Sequence, residues 1–237
     1  MGQKPSKQCY LCGKWVNSST RDHVPPKSLA GDVPGIQFTT LPACRDCNVK
    51  YSSEESRLRD FLAVIGSNLG IAEADGALAA FQRNVGRRPG PNRDYTRIQR
   101  AIGWQEVSTT SSIYLGVAPT ITIPSDLDVE SILIKIAQGL HYIHTEQIIP
   151  SWYVKQGVLV QPHRLPPLWY QVEWPFVGQT GNFFSYQGWK NPETIECAQW
   201  LMLFYQRALG VVTFYDPATM PVEASAGTVP QGEKGYA

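Results

Sequence analysis

The chain has 237 residues, enough for one large domain or two small ones, and its 43% hydrophobic share is that of an ordinary globular protein. No apolar run is long enough to cross a bilayer and no charged-apolar-small leader opens the chain, so a cytoplasmic protein without a membrane partner is expected. The net charge of +1 conceals a division: residues 1–100 carry 15 Lys and Arg against 9 Asp and Glu, and residues 101–237 carry 6 against 11, so only the first part has the sign that phosphate binding requires.

Residues 1–8 form a polar, basic lead-in. Two cysteine pairs follow, Cys9-x-x-Cys12 and Cys44-x-x-Cys47. A two-residue gap lets both thiolates of a pair turn toward one ion, and two pairs complete the tetrahedral sulfur shell that zinc prefers. A disulfide framework is the competing reading, but unaccompanied by a secretory leader this spacing is a metal pattern, and it fits a reducing compartment. Gly13 supplies the tight turn after Cys12. Cys197 is left over; its neighbours Ile195, Ala198 and Trp200 predict an inert, buried thiol.

Between the pairs, a β-hairpin is predicted with strands near Lys14–Val16 and Gln37–Leu41, and the stretch from Ser28 to Gly35 is rich in turn residues. Asp22 and His23 lie in this region. An imidazole with a pKa near neutrality can take a proton from water. Neighbouring strand residues point to opposite faces, so Asp22 and His23 can share a site only near a strand end, where the acid turns toward a metal and the imidazole toward the attacking water. Asn48 follows Cys47 directly and offers a carbonyl oxygen suited to a hard ion such as magnesium. Its attachment to the knuckle would let the structural zinc hold a catalytic ligand in place.

The runs Cys9-Tyr-Leu-Cys12, Arg21-Asp22-His23-Val-Pro-Pro-Lys-Ser-Leu29 and Cys44-Arg-Asp-Cys47-Asn48 together resemble an HNH endonuclease of the ββα-metal (His-Me finger) superfamily, in its zinc-bearing, endonuclease VII-like subtype. The resemblance covers about residues 9–62. It implies that Asp22 and Asn48 hold one divalent ion, Mg2+ or Mn2+, that His23 activates water, and that Cys9, Cys12, Cys44 and Cys47 hold a structural Zn2+. It implies one-metal hydrolysis of nucleic acid, DNA above all, with 5′-phosphate and 3′-hydroxyl products. One departure is visible. Many members place an Asn on the second strand to brace the catalytic His, whereas this chain reads Phe38-Thr39-Thr40-Leu41, leaving Thr40 or a backbone carbonyl for that task.

A helix is predicted from about Ser53 to Ile65, with Leu58, Phe61, Leu62 and Ile65 on one face. Glu54 and Glu55 lie near Asn48, so one could add a metal contact; Ser52-x-x-Glu55, however, fits a capping box, and capping is the expectation. A second helix is predicted over Ile71 to Val85, a turn or linker over residues 86–91, and a short helix over Asp94 to Ile102. Arg93, Arg97 and Arg100 recur at i, i+4 and i+7, and with Lys27, Arg87 and Arg88 they are the candidate nucleic-acid contacts. A merely solvated basic face is the alternative.

The acidic part has another character. Short strands are predicted at Ile113–Leu115 and Thr120–Ile123, then an amphipathic helix from Asp128 to Glu146, closed by Pro150. Aromatic and β-branched runs at Trp152–Val160, Leu168–Trp174, Asn182–Tyr186, Trp200–Tyr205 and Gly210–Tyr215 suit an antiparallel sheet, although Trp200–Tyr205 is equally readable as helix. Their aromatics are expected to fill a core, with base stacking the lesser alternative. His141 and His144 stand one turn apart, but two ligands do not make a dedicated metal site, and with His163 they are read as ordinary surface or core histidines.

The expectation is therefore an α+β chain: a zinc-bound nuclease finger (1–66), a helical basic connector (67–103), an α+β accessory domain (104–216) and a flexible tail (217–237). A DNA endonuclease, in a phage or in anti-phage defence, leads. A non-catalytic zinc-stabilised nucleic-acid-binding module is the alternative, and a protein-interaction factor a third. A second copy or a regulatory protein bound through the C-terminal domain remains open.

Overall fold

The computed structural model describes residues 6–17, 19–66, 70–87, 93–108, 114–160, 173–190 and 197–219. The chain is α+β, with helices and antiparallel sheets and a four-cysteine cluster near its N-terminus. Strands β1 (Lys7–Gln8) and β2 (Trp15–Val16) pair across the first cysteine knuckle. Gly13 has φ 74° there, a left-handed conformation that a Cβ would strain, and its N–H donates to the Cys9 carbonyl at 2.8 Å. Strand β3 (Thr20–Val24) runs antiparallel to β4 (Thr39–Ala43), with Asp22 opposite Leu41 and His23 opposite Thr40. The partners thus differ from those expected: the Trp15–Val16 strand closes the knuckle, and the second long strand pairs with the one carrying Asp22 and His23.

Helix α1 (Arg45–Gly66) begins directly after Cys44, well before the predicted start at Ser53. The Asn48 N–H bonds the Cys44 carbonyl at 3.0 Å, so the second knuckle is also the first helical turn. Starting a helix is costly because several dihedrals are fixed for one hydrogen bond, and a turn already held by two cysteines removes most of that cost. The predicted capping box is consequently absent. Ser52 lies inside the helix and donates to the Val49 carbonyl at 2.9 Å, and Glu55 pairs with Lys135 instead.

Helices α2 (Ala72–Arg87) and α3 (Arg93–Ala101) lie where the sequence pattern puts them. Strands β5 (Ile102–Ser108) and β6 (Tyr114–Ile121) form a hairpin; the two short strands expected at Ile113–Leu115 and Thr120–Ile123 both overlap β6, and β5 is not among those expected. Helix α4 (Val129–Thr145) is bounded as predicted. The Asp128 carboxylate accepts from the Ser131 N–H at 3.1 Å, and Glu146, at φ 56°, ends the helix before Pro150 is reached.

The largest sheet is antiparallel, in the order β7 (Val154–Val160), β11 (Ala208–Tyr215), β10 (Cys197–Phe204), β9 (Phe184–Lys190), β8 (Phe176–Thr180). Trp200–Tyr205, readable either way, is mostly strand. Phe183, Phe184, Trp200, Phe204, Tyr205 and Phe214 are buried, which is the core role expected of the aromatics. Of the Leu168–Trp174 run, residues 168–172 lie outside the described residues, as do 88–92 of the linker and 220–237 of the tail.

Helix α4 joins the two ends of the chain. One side packs Leu133 against Gly157 and Gly210 of the sheet. Another side presents Lys135, Gly139 and Tyr142, spaced as neighbours along a helix face, to the N-terminal strands. A Cβ at Gly139 would stand 2.5 Å from Val24 Cγ2, so only glycine lets the helix lie this close to β3. One core cluster accordingly runs from Cys9 and Tyr10 through Ile132 and Ile136 to Phe214.

Candidate functional site

The sulfurs of Cys9, Cys12, Cys44 and Cys47 all lie within 4.8 Å of one another, with Cys12 and Cys44 at 3.9 Å. Four sulfurs about 2.3 Å from a tetrahedral zinc stand about 3.8 Å apart, so the set fits such an ion. None of the four is in a disulfide. Burial pushes the Cys47 thiol up, and the adjoining sulfurs add to this; a dication among them would favour the thiolates. Among the described residues no other group of three or more His, Cys, Asp and Glu converges in this way.

Strand alternation decides where the remaining candidates point. Thr20, Asp22 and Val24 face inward, and Arg21 and His23 face outward. Asp22 is 5% exposed and accepts hydrogen bonds from the Tyr10 hydroxyl at 2.8 Å and from Lys135 Nζ at 2.9 Å and 3.0 Å. Asn48 lies on the same side of the strand, its Nδ2 donating to Thr20 Oγ1 at 3.1 Å, while Thr20 Oγ1 donates to the Ala43 carbonyl at 2.9 Å. His23 is half-buried on the opposite side, its ring meeting the edge of Phe38 at 5.7 Å, with Thr40 directly across the ladder. Burial lowers its pKa, and the charge of Lys27 lowers it further. The structure therefore brings Asp22 and Asn48 to one side of β3 and His23 to the other.

Lys135 is the residue that the sequence reading missed. It is 1% exposed, and its ammonium bridges Asp22 and the Glu55 carboxylate, 5.6 Å from the centre of the Tyr51 ring. The sequence does carry a signal, a single cation in the apolar run Ile132-Leu-Ile-Lys135-Ile-Ala137. A buried charge requires a partner, although nothing in the run says which one. Burial raises the pKa of Glu55, an effect that Lys135 opposes. Burial likewise raises that of the Tyr10 phenol, and Asp22 adds to it, so Tyr10 stays a donor.

Of the predicted basic contacts, Lys27 is exposed two residues beyond Pro25, and Arg100 is exposed at the end of α3. The side chains of Arg87, Arg88, Arg93 and Arg97 lie outside the described residues. Trp104, 72% exposed on β5, follows Arg100 closely. His141 is fully buried with its ring edge-on to Trp200 and Phe214, and His144 bonds the Tyr186 hydroxyl at 3.0 Å and stacks on Phe176. Both are packing histidines. His163 lies outside the described residues. Cys197 is half-buried, and burial raises its thiol pKa.

The chain matches no family model, no curated protein and no solved structure. No helix among the described residues is long and apolar enough to cross a membrane.

Proposed function

We propose that this chain is a zinc-stabilised HNH-type endonuclease that hydrolyses DNA phosphodiester bonds with His23 as general base. One observation carries the reading: His23 stands on the outward face of β3 beside two exposed cations, Arg21 and Lys27. Those cations would hold the phosphate. The imidazole would take a proton from water, the water oxygen would bond to phosphorus in line, and the bond to the 3′ oxygen would break. The order of elements supports the reading as well. A hairpin bearing Asp22 and His23 leads straight into a helix, and the cysteine cluster ties that junction down, as expected of a ββα-metal finger. Arg100 and Trp104 would add a phosphate contact and a stacking face for a base.

The resemblance assigns a divalent ion to Asp22 and Asn48. Their donor set does not fit one as arranged, because both Asp22 oxygens are engaged by Lys135 and Tyr10. No step is routed through such an ion. The burial of Asp22 also favours a second reading, a nucleic-acid-binding module that does not cut.

Incubation of supercoiled plasmid with the zinc-loaded chain, in magnesium and in manganese, separates the two. Nicking that His23→Ala lowers by about 100-fold or more, with zinc retained, supports the nuclease. Salt-sensitive binding with no nicking replaces it with the module.

A further inference from the structure

We propose that Lys135 occupies the cation seat of the Asp22 carboxylate, so that a divalent ion reaches Asp22 only by displacing it. The inference rests on the reading of Asp22 as the acid of the proposed nuclease site, but its test reads metal binding and not cleavage.

The argument starts in α4. Gly139 lets that helix lie against β3, and Lys135, one turn earlier on the same face, is thereby carried to Asp22. Its ammonium meets a pair of carboxylates, Asp22 and Glu55, that come from separate elements, β3 and α1. Tyr10 donates a further hydrogen bond to Asp22, and the Tyr51 ring lies close to the ammonium. All four residues around Lys135 belong to the N-terminal finger, whereas the cation comes from beyond the hairpin β5–β6. Two carboxylates are oxygen donors of the kind a hard dication takes. Here they surround a lysine that is 1% exposed. Lys135 is thus a positioning residue: it fixes the Asp22 carboxylate and supplies the positive charge that would otherwise come from an ion.

The test measures Mn2+ binding to the zinc-loaded full chain by electron paramagnetic resonance, for wild type, Lys135→Met and the double variant Lys135→Met/Asp22→Asn. Lys135→Met is expected to bind Mn2+ at least tenfold more tightly than wild type, and the double variant to lose that gain. Equal affinity in wild type and Lys135→Met, or a gain that survives Asp22→Asn, overturns the proposal.

Should Lys135→Met fail to fold, the wild-type chain decides, by acetylation of lysines read by mass spectrometry across a Mn2+ titration. Lys135 is expected to be protected without Mn2+ and to become labelled as Mn2+ is raised to saturation, with exposed Lys27 labelled throughout. Protection of Lys135 that persists at saturating Mn2+ overturns the proposal. Displacement of Lys135 in a chain that never nicks plasmid leaves this inference standing and sinks the nuclease. Nicking in a chain with no such competition does the reverse.

Discussion

Lys135 and Asp22, 113 positions apart in the chain, meet as a buried ion pair at 2.9 Å. Glu55 shares the same ammonium, so Asp22→Asn leaves Lys135 one carboxylate, whereas Lys135→Met leaves two carboxylates without a cation, a loss of about 3–5 kcal/mol. Lys135→Met should lower stability to urea more than Asp22→Asn does, and the double variant should recover part of the Lys135→Met loss, with Glu55 still unpaired. A cycle without coupling would show that the pair does not form in solution.

Cys44→Ser should release zinc and also shorten α1, because the same residue begins both the knuckle and the first helical turn. Zinc content by metal analysis and helicity by circular dichroism should fall together. Chelation of the wild-type chain should have the same effect. Full helicity in a zinc-free chain would separate the two roles.

His141 makes stability depend on pH. Burial lowers its pKa from 6.5 to about 4, with Lys190 and His144 adding to the effect. The unfolded chain therefore takes up a proton near pH 6.5 that the folded chain refuses until about pH 4. The stabilising contribution is complete above pH 6.5 and is lost as pH falls through about 4, a loss of about 3 kcal/mol. Urea unfolding between pH 7 and 4, followed by tryptophan fluorescence, should show this decline. His141→Phe should flatten it.

Gly139→Ala would place a Cβ 2.5 Å from Val24 Cγ2 and push α4 away from β3. Overpacking of this kind costs about 1–3 kcal/mol. Val24→Ala should restore part of the loss, as thermal unfolding of the single and double variants would reveal. Loss with no rescue would mean that Gly139 serves some contact other than Val24.

The sequence makes local features legible and hides those that depend on distance. Cysteine spacing marks the metal cluster because the geometry of a knuckle lies within four residues. Helix α4 is readable to its ends because Asp128 and the apolar period are local signals. Strand alternation likewise puts Asp22 and His23 on opposite faces. The start of α1 is misread because Ser52 and Glu55 form a convincing cap pattern, while the stronger signal, a turn held by Cys44 and Cys47, is not a helix propensity at all. Lys135 is invisible as a partner of Asp22, since no local pattern reports which helix lies across β3. Strand β8 carries too few large apolar residues to stand out.

Gly139 and its close approach to Val24 bear on how the protein can be divided. The first sixty-odd residues look like a portable cassette, yet they keep an acid whose counter-charge is supplied by helix α4, from the middle of the chain. Excised, that cassette would bring an unbalanced carboxylate and a bare valine into water. The finger and α4 are interdependent, and a transplant that carried the cysteines alone would leave half of the architecture behind.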